Sequence, residues 1–302
     1  MDLSNIDLSN IDLIIYHDDC PDGLAAVWAV KQRFPHADTV GCVYNTFTLD
    51  EMIGRARARG CVAKAVIVVD FSFRREQLLG ACERLQLDKL VVLDHHDSAA
   101  RDLEGVEDCI FDMSRSGAQM AWDYCFPSTP RPAFIDYVAD RDLWKWELPL
   151  SREVNYARLN YSNDLDGITA FGNDIEEDLD AVAAAGAAQL VVYWRRIDVA
   201  AATTTSCRIG GHAGRAVIAD REIRSELGAA LLEKFPDAEF VCVLTPILRN
   251  GNIAWAASLR SCHGRAQVQI LAEALGGGGH EHAAGFKITE ASQITRLLST
   301  GL

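Results

Sequence analysis

The sequence predicts an α/β fold in two parts. An N-terminal domain is built on a parallel sheet, a long connecting helix follows, and a smaller C-terminal α/β domain carries a mixed sheet. Three observations predict it. Apolar runs that read as buried strands alternate with helical patterns over the first half of the chain, the order of a parallel sheet with right-handed crossovers. An Ala-rich helical pattern, Ile175 to Ala201, then carries no chemistry of its own and ends at Thr203-Thr204-Thr205. Beyond it, Asn250-Gly251-Asn252 is a hairpin turn between two strand-like runs. At 302 residues the chain exceeds one ordinary core. The expected boundaries are a tail at 1–11, a first domain at 12–170, the connecting helix at 171–205 and a second domain at 206–302.

Residues 2–12 hold a short duplication, Asp-Leu-Ser-Asn-Ile, too brief for a repeat architecture, and read as a tail. Leu13 to Tyr16 is the first strand, running into His17-Asp18-Asp19-Cys20-Pro21-Asp22-Gly23 and a helix from Leu24 to Val30. Pro21 and Gly23 shape that turn. Carboxylates favour a helix N-terminus, which accounts for one or two of the aspartates. It does not account for His17 and a cluster in which Asp18, Asp19 and Asp22 repel one another without a cation.

Residues 39–44 read as a strand and 49–59 as a helix. Ala65 to Val69 is a buried strand ending in Asp70, Arg74 to Leu87 a helix, and Leu90 to Leu93 a strand ending in Asp94-His95-His96. Three strand ends thus bring His17, Asp19 and Asp22, then Asp70, then Asp94, His95 and His96 to one edge of a parallel sheet. Open α/β sheets collect chemistry at that edge, and imidazoles with carboxylates on rigid elements suit a metal centre. For 94–96 alone, a histidine pair capping the next helix is the plainer alternative.

Ser114 and Ser116 precede a helix from Ala118 to Tyr124 and read most simply as N-caps, a phosphate contact by Ser116 being the lesser reading. Ala133 to Ala139 reads as a helix that ends at Asp140-Arg141-Asp142-Leu143-Trp144-Lys145-Trp146. That stretch is either a surface loop or the source of a last ligand, and spacing does not choose. In the second domain, Ala216 to Ala219, Phe240 to Ile247 and Ile253 to Leu259 read as strands, with helices at Glu222 to Phe235 and 266–275. The four glycines 276–279 before His280 expose successive N–H groups that can cradle an anion, with a flexible linker as the alternative.

The net charge of −14 argues against holding long nucleic acid by a general electrostatic footprint, so local arginines and metal ions would have to attract an anionic substrate. Nine scattered cysteines without a C-x-x-C pair argue against a disulfide framework or zinc ribbon, and for a reducing, cytoplasmic location. No run approaches about 18 apolar residues, and the acidic start lacks a basic region followed by an apolar one, so neither a membrane span nor a secretory signal is expected.

Five motifs in order resemble the DHH phosphoesterases with a C-terminal DHHA1 domain, a RecJ-like superfamily. They are His17-x-Asp19-Cys20-x-Asp22-Gly23, Asp70 after its strand, Asp94-His95-His96, Asp140-Arg141-Asp142-Leu143-Trp144-Lys145-Trp146, and Gly277-Gly278-Gly279-His280 with Ala283-Ala284-Gly285. Ser258-Leu259-Arg260-Ser261 is similar to the partner strand of the last. The cysteine in the first motif is similar to the branch of nanoRNase-B-type oligoribonucleases or cyclic-nucleotide phosphodiesterases. The extra residue before Asp22 departs from the usual pattern. Asp142 stands where relatives carry a small residue and could compete as a ligand.

The resemblance implies a site for two Mn²⁺, with Mg²⁺ or Co²⁺ as substitutes. His17, Asp19 and Asp70 would hold one ion, and Asp22, Asp70, His95 and Asp140 the other. Asp94 would orient His95, and His96 would act on the phosphate. Arg260, Ser261, Gly277, Gly278, Gly279, His280 and Ser116 would contact substrate. The expected activity is hydrolysis of very short oligoribonucleotides, dinucleotides such as pGpG or pApA, to 5′-mononucleotides. Alternatives are a cyclic-dinucleotide phosphodiesterase, a 3′-phosphoadenosine-5′-phosphate phosphatase, or a nucleotide-binding sensor without turnover. The expected partners are short RNA, no long nucleic acid, no membrane, and a second copy in a homodimer.

Overall fold

In the computed structural model, residues 10–18, 20–44, 46–249 and 252–299 are described. The chain folds as two compact units, 1–190 and 191–302.

The first unit opens with β1 (Leu13–His17), α1 (Pro21–Arg33), β2 (Asp38–Cys42), α2 (Leu49–Ala58) and β3 (Ala65–Val69). Two short helices, α3 (Arg75–Leu78) and α4 (Ala81–Leu85), lead to β4 (Lys89–Asp94), α5 (Asp97–Asp102) and β5 (Cys109–Phe111). Four helices complete it: α6 (Gly117–Cys125), α7 (Ala133–Asp142), α8 (Ser151–Ala157) and α9 (Leu165–Ala201), the last running past the boundary between the units. The five strands pair in parallel in the order β2-β1-β3-β4-β5.

A sheet covered on both faces needs strands apolar at every position, and these strands alternate between two cores. Ile14, Ile67, Val69, Val91 and Leu93 join Leu24, Val27, Phe134 and Phe171 in one. Leu13, Ile15, Val66, Val68 and Val92 join Leu49, Met52 and Ile53 in the other. Each such side chain contributes about 1.5–3 kcal/mol on burial.

β1 lies between β2 and β3, so the direction of winding reverses at β1 and β3, the place where a crevice opens outside the C-terminal strand ends. Helix α1 starts against that crevice. A Cβ on Gly23 would sit 2.0 Å from the carbonyl oxygen of His17, so only glycine lets α1 turn this tightly off β1.

Helix α9 is broken at Asp178 (φ −153°, ψ 85°), whose carboxylate accepts the N–H of Ala181 and caps the second segment. No helix among the described residues is long and apolar enough to cross a membrane.

The second unit contains β6 (Thr205–Ile209), β7 (His212–Ile218), α10 (Arg224–Lys234), β8 (Phe240–Arg249) and β9 (Asn252–Arg260). It ends with α11 (Val268–Glu273), β10 (Gly278–His280), β11 (Ala283–Ile288) and α12 (Ala291–Ser299). Its six strands run in the order β10-β11-β9-β8-β7-β6, with β7 and β8 parallel and the other pairs antiparallel. The mixed sheet packs Phe240, Cys242, Leu259 and Phe286 against Val268 and Leu271 of α11 and Leu297 of α12.

Candidate metal centre

At the C-terminal ends of β1, β3 and β4 the first unit gathers imidazoles and carboxylates. Nδ1 of His17 lies 3.3 Å from Oδ2 of Asp70. Nε2 of His95 lies 3.2 Å from Oδ1 of Asp70, 3.5 Å from Oδ2 of Asp142 and 3.7 Å from Oδ2 of Asp22. Asp22, Asp70 and His95 are buried. Asp70 is the common member: it stands with His17 and Cys20, with Asp22 and His95, and with Asp94 and His96, each set having ligand atoms within 4.8 Å of one another. Its backbone is left-handed (φ 51°), a conformation that turns the chain sharply off β3.

Each group is held from behind. The Asp22 carboxylate accepts the N–H groups of Gly117 (2.6 Å) and Ala118 (3.1 Å), the first turn of α6. Gly117 is required there, since a Cβ would meet Cβ of Asp70 at 2.5 Å and Oδ2 of Asp22 at 2.9 Å. Asp94 accepts from Ser72 Oγ (2.6 Å) and from the backbone N–H of His95 (2.8 Å), and also accepts from Nδ1 of His96 at 2.7 Å. A carboxylate only accepts, so this contact puts the His96 proton on Nδ1 and leaves Nε2 as the other working nitrogen. Asp94 therefore orients His96. Its hydrogen bond to His95 is to the backbone N–H, so its direct hold is on the ring of His96.

Charge on the cluster is out of balance. Burial, together with the neighbouring carboxylates of Asp142 and Asp70, pushes the carboxyl of Asp22 well above its usual range. Burial also raises that of Asp142, with Asp70 adding to it. Burial works against ionisation of Asp70 too, yet its contacts with His17 and His95 hold it well below. For His95, burial favours the neutral ring, but Asp70, Asp142 and Asp22 raise it well above the ordinary value. Protons are thus drawn in to offset carboxylate repulsion, the place a divalent cation takes when imidazoles and carboxylates converge. The buried atoms Nδ1 of His17 and Oδ2 of Asp70 face each other and complete no hydrogen bond. The donor set fits a metal.

The fourth motif behaves differently from expectation. Helix α7 runs through Asp142 instead of ending at Ala139, and residues two apart on a helix do not share a face. Asp140 is buried and turned toward the following loop, where its oxygens accept from Glu147 N, Leu148 N and Ser151 Oγ. Asp142 is the residue that reaches His95. Assignment of Asp140 as the ligand is corrected accordingly. Cys20 was not expected, yet its sulfur lies with His17 and Asp70; the cysteine inside the first motif was the available signal. Asp19 lies outside the described residues.

Ser116 is fully buried and forms a capping box with Gln119, which withdraws it from substrate and corrects its assignment as a contact. In the second unit, Arg260 ends β9 with Nη2 on Ser225 Oγ (3.0 Å) and Nη1 on the carbonyl of Leu259 (2.9 Å). Ser261 is buried and bonded to Nδ1 of His282 at 3.0 Å. The glycine run is not an open cradle. Gly276 and Gly277 give their N–H groups to Glu273 and Ala272 at the end of α11, and Gly278 to His280 form edge strand β10. A Cβ on Gly277 would meet the carbonyl oxygen of Gly285 at 2.0 Å, so close backbone approach explains the glycine there.

Comparison with known proteins agrees with this architecture. Residues 216–300 match the DHHA1 domain family. Uncharacterized protein R106 of Acanthamoeba polyphaga mimivirus is 28% identical over 295 residues, 91% of this chain and 67% of that protein. The DHH domain of a member of the s1p family of ribosomal proteins superposes with a TM-score of 0.56 at 15% identity, covering 94% of this chain and 84% of that one. Exonuclease RecJ bound to manganese gives 0.53 at 13% identity, covering 94% and 87%. An exopolyphosphatase-related protein from Bacteroides fragilis gives 0.50 at 12%, covering 92% and 86%. Residues 216–300 thus form a DHHA1 domain, and the chain shares the fold of these DHH-domain and RecJ structures along most of its length.

Proposed function

We propose that the protein is a metal-dependent phosphodiesterase that hydrolyses very short oligoribonucleotides, dinucleotides such as pGpG or pApA, to 5′-mononucleotides. The observation that carries this reading is the convergence of His17, Asp22, Asp70, His95 and Asp142 at the switch point of the sheet. These residues would hold two Mn²⁺, with Asp70 shared and Asp19 as a further ligand. The similar RecJ structure is bound to manganese, and imidazole with carboxylate donors suits that ion. Bound metal supplies a water acidified to hydroxide and charge to offset the phosphate.

The chain's own residues do the rest. Asp94 holds the His96 ring by Nδ1, which presents Nε2 to donate a proton to a phosphate oxygen or leaving group. Burial lowers the His96 imidazole, but the charge of Asp94 carries it above its ordinary value, which favours the doubly protonated ring needed for Nε2 to donate. Tyr44 stands edge-on to both His17 (5.2 Å) and His96 (5.7 Å) and limits how either ring can tilt. In the second unit, Arg260 would take a substrate phosphate or base edge with the donors it does not spend on Ser225 and Leu259.

The test is product analysis by chromatography. Metal-stripped protein, with and without Mn²⁺, is incubated with pGpG, pApA, a five-nucleotide RNA, cyclic dinucleotides and 3′-phosphoadenosine-5′-phosphate. The expected result is Mn²⁺-dependent release of mononucleotides, fastest from the dinucleotides and abolished by Asp70→Asn. A preference for a cyclic or 3′-phosphorylated substrate would overturn the substrate assignment. Tight binding without turnover in any metal would overturn the enzyme.

A further inference from the structure

The second unit carries a cavity of about 370 Å³ at the β6–β7 edge of its sheet, lined by Ser206, Arg208, Arg215, Lys234, Phe235 and Asp237 among others. In a chain of net charge −14, three cations and one carboxylate on one cavity wall reverse the local sign. The two arginines hydrogen-bond to uncharged groups. Arg208 Nη1 gives to the carbonyl of Gly211 at 2.9 Å, and Arg215 Nη1 to Ser206 Oγ at 3.0 Å. The Arg215 guanidinium lies over the Phe235 ring at 4.7 Å, with Lys234 Nζ 5.8 Å from the same centroid. Ring and hydroxyl fix the guanidinium in place, so little of its freedom is left to lose on binding, and most of its five N–H donors face no protein acceptor.

This place is separate from Arg260. Ser206 pairs with Arg215, Arg215 with Val241, and Val241 with Arg260, one row on one face of the sheet. With strands about 4.8 Å apart, the two arginines are about 10 Å from each other. Between them Val241 is fully buried. It lies beneath α10 at Gly228, where a Cβ would meet Arg260 Cγ at 2.8 Å and Val241 Cγ2 at 3.8 Å. Helix α10 therefore partitions the face into a side with Arg260 and a side with Arg215.

We propose that this cavity is a second anion site that binds a mononucleotide. The phosphate lies between Arg208 and Lys234, and the base extends the Arg215–Phe235 stack. The volume falls in the range of small-ligand pockets, guanidinium and ammonium groups meet phosphate, and bases stack on guanidinium planes and aromatic rings alike. The site uses no residue of the metal centre, so the inference does not rest on the reaction proposed above.

The experiment is isothermal titration calorimetry of the full chain in EDTA with 5′-AMP, 5′-GMP, 5′-CMP and 5′-UMP, and with guanosine and inorganic phosphate as separate arms. One mononucleotide should bind per chain, with guanosine and phosphate weaker by about tenfold or more. The Arg208→Ala/Lys234→Ala double variant, both exposed positions, should weaken nucleotide binding by about tenfold or more, while Arg74→Ala, an exposed arginine of the first unit, leaves it unchanged. A thermal melt unchanged by the double substitution shows that the fold is kept. Absence of any nucleotide binding, equal binding by the double variant, or an equal loss on Arg74→Ala would each overturn the site. Phosphate binding as tightly as the nucleotides would overturn the role given to the base.

Discussion

Asp140 and Asp142 stand two positions apart on one helix and do different work. Asp142 faces His95 at 3.5 Å, so Asp142→Asn should lower activity and metal affinity by tenfold or more, as an order of magnitude for lost metal-site groups, with little change in melting temperature. Asp140 ties down the turn at 147–151. Asp140→Asn should therefore cost about 1–3 kcal/mol of stability. Kinetics and denaturant melts on the two variants check the pair, and the reverse pattern would restore Asp140 as the ligand. Asp112 offers a test by pH. Burial works against its charge, but Ser114 and Arg115 hold its carboxyl at about 2. Because the folded value is depressed, its stabilisation is present above the unfolded value of about 3.9 and is lost as pH falls through about 2. With the side chain 30% exposed, solvent screening reduces this to about 1 kcal/mol. Asp112→Asn should be less stable by that amount at pH 7, and equal to the parent near pH 2.

At the scale of elements, the first unit depends on backbones that approach without a side chain between them. A Cβ on Gly186 of α9 would sit 1.7 Å from the carbonyl oxygen of Glu153 in α8, too close for any rotamer to relieve. Gly186→Ala should destabilise by about 1–3 kcal/mol or more in a urea melt, whereas Gly54→Ala, with open space around it, should stabilise α2 slightly. Strands and their edge were legible because each apolar run stops at a polar residue: Val69 at Asp70, Leu93 at Asp94. Three of those stops meet in space. What the sequence hid was rotation. Whether Asp140 or Asp142 faces the centre depends on where α7 ends, and Arg141 and Leu143 around them mark no such end. The glycine run hides its geometry for a related reason. Glycines that expose N–H groups and glycines that let strands β10 and β11 close up look the same until the neighbouring backbone is in place.

For the molecule as a whole, net charge governs which anions it meets. A net charge of −14 opposes any polyanion at long range, so binding of long duplex RNA should be undetectable at physiological salt in a filter assay. The charge repulsion that raises Asp22 and Asp142 is stability held in reserve. Mn²⁺ at 100 times its dissociation constant should stabilise the native chain by about 2.7 kcal/mol. Calorimetry should then show a melting temperature higher by several degrees than in EDTA, with no such rise in Asp70→Asn.

The left-handed backbone at Asp70 sets function against thermodynamic ease at one codon. Aspartate and asparagine tolerate that region better than other side chains, and alanine bears a cost of about 1–2 kcal/mol there. Genetic drift away from the ligand therefore has a narrow safe exit. Asparagine removes the charge and keeps the turn, glycine removes the side chain and relaxes the turn, and most other replacements strain the corner while they remove the carboxylate. A lineage that abandoned catalysis while keeping the protein should carry Asn or Gly at this position. For the same reason, asparagine is the substitution with which to trap an inactive, folded protein on its ligand.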